Sequence, residues 1–320
     1  FSAAGIDRFL SRLRDQVDVA PDVEITLEAN PGTAEAGRFH EYRCAGVNRL
    51  SLGVQSLDDA ALSRIGRIHG AAEAIQAVHM AAGAGIGNVN VDLMYALPLQ
   101  SVGAALEDLE AALELRPDHI SWYQLTIEPN TVFYSQPPRL PDEDCAWEMQ
   151  QAGQALLDGT GFERYEVSAY ARPGRRCRHN LNYWEFGDYL GLGAGAHGKL
   201  TDVDSGWVRR FARHRMPEAY MKRAGGPGAI VSETVLGADD LILEFMLNAC
   251  RLSGGFPLSL FTERTGLSAA VLTPQLDECV RSGLIEWDSG RVTPSELGQR
   301  YLNDLLQRFL PGTETSKLAG

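Results

Sequence analysis

Five short runs of branched and apolar residues, each too short for a helix, constrain this chain more than any other feature. They are Val23 to Ala29 (VEITLEA), Arg49 to Gln55 (RLSLGVQ), Val89 to Tyr95 (VNVDLMY), His119 to Ile127 (HISWYQLTI) and Tyr165 to Ala171 (YEVSAYA). Such runs read as buried parallel strands. The intervening stretches Asp58 to Ile65, Ala71 to Ala82, Val102 to Leu115 and Asp142 to Leu157 read as helices. Strand alternating with helix implies right-handed crossovers and a parallel sheet, so the fold class is α/β. Periodicity alone leaves a (β/α) barrel and an open doubly wound sheet both open. The chain begins on a helix with no strand before it, and a missing upstream segment is expected.

A second region follows a Gly/Pro-containing stretch, AGGPG at 224–228, so that 1–223 reads as the main domain and 224–236 as a linker. From 237 to 310 the pattern is three helices and a hairpin: Asp239 to Arg251, Leu258 to Thr265 and Ser268 to Ser282, then LIEWDSGRVTP as two short strands about a turn. This resembles a winged helix. Residues 311–320 are expected to be a flexible tail.

Charge removes several function classes. The formal net charge is -13, whereas phosphate backbones and anionic lipid call for a basic surface. The winged-helix-like region holds six Arg, no Lys and ten acidic residues, so a lid or packing module is expected there rather than a DNA reader. The five cysteines, Cys44, Cys145, Cys177, Cys250 and Cys279, are widely spaced with no CxxC pair, which points to free thiols in a reducing compartment. No apolar run reaches the length of a membrane span and the first residues lack signal-peptide character, so a cytoplasmic protein is expected.

Four polar residues stand at or just past the ends of expected strands: Glu28 in LEANPG, Gln55 in GVQS, Arg67 in GRIHG and Asp92 in VDLMYALP. In parallel α/β folds this end of the strands holds the active site. Charge inside an apolar run is costly to bury without a partner. Internal ion pairs or helix caps would explain each residue singly. Together, two carboxylates, an amide and a guanidinium suit a zwitterionic ligand bearing an amino group, a carboxylate and ribose hydroxyls.

The strings LEANPGT, RLSLGVQS, GRIH, NVDLMYALP and YQLTIEPNT, in this order, resemble the HemW heme-chaperone family of radical S-adenosylmethionine (SAM) proteins and its relatives, the oxygen-independent coproporphyrinogen III dehydrogenases. The resemblance runs from about residue 22 to 310. It implies a partial (β/α) barrel of radical SAM type with a small C-terminal winged-helix-like domain, and SAM contacts at Glu28, Gln55, Arg67 and Asp92. The HNLNYW string, His179 to Trp184, is similar to the signature of the HemW branch, which implies that His179, Asn180, Tyr183 and Trp184 take part in heme handling. A neutral imidazole is a common axial ligand of heme iron, and Tyr183 and Trp184 offer rings to cover a porphyrin face. On the residues alone, the same string also reads as a turn cap with aromatic packing. His179 or Cys177 would be the iron ligand, with His197 a weaker candidate.

The glycines of GAGAHG (Gly193, Gly195, Gly198) have dinucleotide-site spacing, but the LTDVDSGWV that follows is no helix opening, so close backbone packing is expected. A radical SAM protein also needs a CxxxCxxC loop for its [4Fe-4S] cluster. This chain has none, so it holds no metal of that kind by itself, and the cluster is expected only in an intact parent. The resemblance implies a heme chaperone that binds heme and passes it to acceptor proteins such as respiratory enzymes; no nucleic-acid partner and no transmembrane segment are expected, and a dimer is one assembly open to it. Two other functions stay open: an oxygen-independent coproporphyrinogen III dehydrogenase, and a cluster-free heme- or protein-binding module.

Overall fold

The structure, a computed structural model, describes residues 2–32 and 38–311 and divides into two compact units, Phe1–Arg176 and Cys177–Gly320. The expected tail lies, but for residue 311, outside the described residues.

In the first unit the elements run α1 (Ala3–Gln16), β1 (Thr26–Ala29), α2 (Phe39–Ala45), β2 (Arg49–Gln55), α3 (Asp59–Arg64), α4 (Ala71–Gly83), β3 (Val89–Tyr95), α5 (Val102–Glu114), β4 (His119–Gln124), α6 (Val132–Ser135), α7 (Glu143–Gly159), β5 (Glu163–Glu166) and β6 (Ala169–Ala171). The sheet order is β1-β2-β3-β4-β6-β5. The first four strands are parallel in sequence order. The last expected parallel strand is instead an antiparallel hairpin: β6 runs against both β4 and β5. Only three residues separate α7 from β5, and β5 reverses into β6 across two, far too few for a crossover.

Capping side chains set where several helices begin. Asp58 accepts from Ala60 N at 2.8 Å, Ser101 from Ala104 N at 3.2 Å and Asp142 from Cys145 N at 2.8 Å. The core lies on one side of the sheet. There Leu50, Leu52, Val54, Val91, Leu93, Tyr95, Ile120 and Trp122 meet apolar residues of α2, α4, α5 and α7. Helix α7 comes so close that a Cβ on Gly153 would lie 1.9 Å from the Trp122 ring.

The second unit runs α8 (Arg178–Trp184), β7 (His197–Asp202), β8 (Trp207–Arg213), α9 (Pro217–Arg223), β9 (Ile230–Val235), α10 (Ala238–Ala249), β10 (Phe256–Pro257), α11 (Leu258–Thr265), α12 (Thr273–Arg281), β11 (Ile285–Asp288), β12 (Arg291–Pro294), α13 (Glu296–Arg300) and α14 (Leu302–Gln307). Strands β7, β8 and β9 form an antiparallel sheet, and β10-β12-β11 form the wing. The expected linker at 224–236 therefore holds a sheet strand, and the division falls at residue 176 rather than near 223. The reason is a shared core. Phe245 on α10 takes edge-on ring contacts from Phe186, Phe256 and Phe261 at 5.9, 5.1 and 5.1 Å, and Val208 of β8 joins the same cluster. The α8 segment and the three-stranded sheet thus fold onto the winged-helix-like part.

Substituting Gly153→Ala should destabilise the first unit by about 1–3 kcal/mol through overpacking against Trp122. Urea denaturation of the variant beside the wild type measures this, and an unchanged midpoint would contradict the close approach.

Candidate functional site

Successive side chains of a strand point to opposite sides. In β2, β3 and β4 the apolar set faces the helices, which turns Arg49 and Ser51, then Asn90, Asp92 and Met94, then His119, Ser121 and Tyr123, to the other side. Register lines these up in rows: Glu28 beside Ser51, Ser51 beside Asn90, Asp92 beside Ser121 and Met94 beside Tyr123. Burial on this side is uneven. Asn90 and His119 are buried, whereas Asp92, Ser121 and Tyr123 are half-buried and Glu28 is exposed, so the outer end of the rows is open.

Asp92 sits among neutral donors. The Ser51 hydroxyl donates to its Oδ2 at 3.0 Å and the Asn90 amide to its Oδ1 at 2.7 Å, with Ser121 also in reach. Burial raises its pKa above the ordinary 3.8, these donors pull it back in part, and the Glu28 charge adds to the rise. Gln55 ends β2 with φ 72°, a left-handed conformation that side chains rarely adopt, and its Oε1 accepts from the Tyr123 hydroxyl at 2.6 Å. Burial pushes the Tyr123 phenol up to about 12; the Asp92 charge acts in the same direction and Arg67 against it. Glu28, Gln55, Arg67 and Asp92 are thereby all coupled to one locus, directly or through Tyr123.

The backbone after Gln55 is held by a group sequence reading passed over. Asp108, on α5, accepts from the Ser56 hydroxyl at 2.6 Å and from Leu57 N at 2.6 Å. Burial raises its pKa, with those two hydrogen bonds opposing. Ser51, Asn90, His119, Ser121, Tyr123 and Tyr165 were passed over too. Their signal is period two: polar residues at alternate positions in VNVD and HISWY, where a strand buried on both sides would carry none.

In the second unit, HNLNYW forms α8, with Cys177 at its N-cap position. Its residues divide between two sides. Leu181 and Trp184 pack against the unit's core, and the Arg251 guanidinium lies 4.4 Å from the Trp184 ring. Trp184 is thus turned inward rather than offered to a flat ligand. His179 and Tyr183, four residues apart on one helix face, are exposed, and Asn180 is half-buried. Cys177 is wholly buried, with Sγ 3.2 Å from His179 Nδ1 and 3.6 Å from Nε2. Two such similar distances place the sulfur beside the imidazole rather than in line with either nitrogen. The Tyr183 ring lies 4.5 Å from Tyr189, whose hydroxyl accepts from Arg210 at 2.8 Å, and Arg210 pairs with Glu244 of α10. Burial raises the Tyr183 pKa.

His197 is exposed at the start of β7. GAGAHG therefore leads into a strand, and a Cβ on Gly198 would lie 2.1 Å from the Phe211 ring, which is the close packing expected of it. The cysteines do not suit an iron-sulfur cluster. Cys250 and Cys279 are buried in the second unit's core, where burial raises both thiols, Cys279 to about 11, while a cluster needs grouped thiolates.

Comparison with known proteins shows the family and the fold. The model of the radical SAM superfamily matches residues 3–115, and that of the HemN C-terminal domain matches residues 236–301. The heme chaperone HemW of Escherichia coli (strain K12) is 47% identical over 97% of this chain and 80% of its own length. That of Haemophilus influenzae is 45% identical over the same shares. The mouse mitochondrial radical S-adenosyl methionine domain-containing protein 1 is 36% identical over 94% of this chain and 71% of its own. Among solved structures, coproporphyrinogen III oxidase (HemN) of Escherichia coli superposes with a TM-score of 0.78 at 21% identity, covering 97% of this chain and 74% of that one, a likeness of fold.

Removing Asp108 should separate charge from hydrogen bonding. Because its carboxyl binds a proton more tightly folded than unfolded, its contribution to stability is full below pH 3.8 and is lost as pH rises through the raised folded value. Asp108→Asn should keep a bond to Leu57 N and flatten that fall, whereas Asp108→Ala leaves the buried Ser56 hydroxyl and the part-buried Leu57 N–H without this acceptor and should cost about 1–3 kcal/mol. Urea unfolding between about pH 4 and 8 reads both; equal behaviour of the two variants would refute the assignment.

Proposed function

The chain belongs to the HemW family of radical SAM proteins, and from that premise we propose that it serves as a heme chaperone, taking up heme at α8 and handing it to an acceptor protein. The observation that carries this reading is the exposed pair His179 and Tyr183 on one face of α8. An accessible imidazole can ligate iron, and a neighbouring phenol ring offers a surface for a porphyrin. Asn180 flanks that face, and Trp184 contributes by anchoring α8 to the core. Cys177, wholly buried, is the inner rival for the iron, so His179 is the ligand proposed.

SAM is proposed to bind on the polar side of the first unit's sheet. The donor set suits it: Asp92 and Glu28 can accept from ammonium or ribose hydroxyl groups, Arg67 can pair with a carboxylate, and Gln55 is held by Tyr123. In this superfamily a cluster reductively cleaves bound SAM. The five cysteines here do not fit such a cluster. What these residues do is bind, orient and shield the ligand.

Heme titration of the chain, followed by absorbance, tests the chaperone reading. His179→Ala should weaken heme binding by about tenfold or more, and Tyr183→Ala should weaken it less, while Cys177→Ser leaves it near wild type. Unchanged uptake in His179→Ala would overturn the ligand assignment. Loss only in Cys177→Ser would move the iron to the thiol. Anaerobic conversion of coproporphyrinogen III by a form carrying the cluster segment would favour the dehydrogenase instead.

A further inference from the structure

Asp92 stands at one end of a line of hydrogen bonds that crosses the sheet to Tyr165 on β5. The Asn90 side chain uses all its capacity in it. Its Nδ2 donates to Ser51 Oγ at 2.7 Å and to Asp92 Oδ1 at 2.7 Å, and its Oδ1 accepts from His119 Nδ1 at 2.6 Å and from Ser121 at 3.1 Å. Reversing the amide would set its oxygen against the Asp92 carboxylate. The orientation is therefore fixed, and it fixes the histidine. An amide oxygen can only accept, so Nδ1 carries the proton, and in the neutral ring Nε2 accepts from the Tyr165 hydroxyl at 2.8 Å. At the near end Ser51, having accepted from Asn90, turns its own hydrogen to Asp92 Oδ2. Both carboxylate oxygens thus receive donors whose direction is set elsewhere.

We propose that Asn90, His119 and Tyr165 are positioning residues for the SAM site: they lock the Asp92 carboxylate in one rotamer and keep it an acceptor for the ligand's ammonium or hydroxyl donors. This rests on the SAM reading above. Purely structural roles would also bury a histidine and a tyrosine, but they would not need the proton at Nδ1 or change how Asp92 titrates. Other titratable or charged groups near this line, among the described residues, include Glu28 from β1, Arg49 from β2, Tyr123 from β4, Arg67, which follows α3, and Arg176, whose guanidinium lies 5.8 Å from the Tyr165 ring. None of these is altered by the variants below.

The full chain serves for the test. The carboxyl carbon of Asp92, followed by NMR against pH, should titrate about one pH unit higher in Asn90→Ala, which loses a donor to the charged form. His119→Leu should move it the same way. His119→Asn places an amide nitrogen where Nδ1 was, keeps the donor to Asn90 and should restore the wild-type midpoint. Tyr165→Phe should cause a smaller shift in the same direction. Calorimetric titration with SAM should show the acid limb of affinity moving in parallel, with about tenfold weaker binding near the midpoint for each full pH unit. An unchanged midpoint in Asn90→Ala and His119→Leu would overturn the proposal, and so would His119→Asn behaving like His119→Leu, since shape alone would then explain the ring. If Asn90→Ala fails to fold, the two His119 variants decide. If the wild type binds no SAM, the SAM reading falls, and the Asp92 titration still decides whether the relay exists.

Discussion

The alternation of side chains along a strand is the constraint on which the first unit depends. Each of β2, β3 and β4 must give one side to the helices, and the residues that do so, Leu50, Leu52, Val91, Leu93, Ile120 and Trp122, are buried almost completely. Parallel strands covered on both sides would be apolar throughout. Here the second side carries serine, asparagine, aspartate, histidine and tyrosine, so a one-residue slip in any register would drive charge into the core and expose leucine. The polar side and the core specify each other.

That interdependence explains how much was legible in the sequence. The helices α3, α4, α5 and α7 announce themselves through composition and spacing to within two residues and β2 and β3 keep their expected bounds, whereas β1 and β4 are each three residues shorter and the fifth run is a hairpin. Glu28, Gln55 and Asp92 could be singled out because charged and amide groups in apolar runs are unusual, whereas Arg67, expected at a strand end, follows helix α3 instead. Their supports could not be singled out so easily. Asn90 and His119 are ordinary polar residues until strand pairing sets them side by side, and Asp108 lies on a helix more than fifty positions from the loop it holds. Long-range pairing is what a local reading lacks.

The second unit shows the opposite failure. AGGPG has every local mark of a linker, yet the six residues from Ile230 pair with β8. What decides the boundary is the set of aromatic rings around Phe245, drawn from α8's end, the wing and α11. No string of residues near 177 signals it. The consequence is functional: Leu181, Trp184 and Phe186 bind α8 to the winged-helix-like part, so the motif's inner residues serve stability while His179 and Tyr183 face outward.

The charge on the polar side then narrows what can occupy it. Asp92 is stabilised by the neutral donors Ser51, Asn90 and Ser121, while Glu28 works against its ionisation. Such a carboxylate gains most from a ligand that brings positive charge and hydrogen-bond donors, because these replace the solvation that burial removed. A neutral apolar ligand would leave it as it is, and an anion would add to the repulsion from Glu28. Arg67, whose charge acts on Tyr123 against the rise in its pKa, supplies the opposite sign. Charges of both signs acting on one polar face would suit a zwitterion, and the proposed hydrogen-bond line behind Asp92 would hold its carboxylate in one orientation.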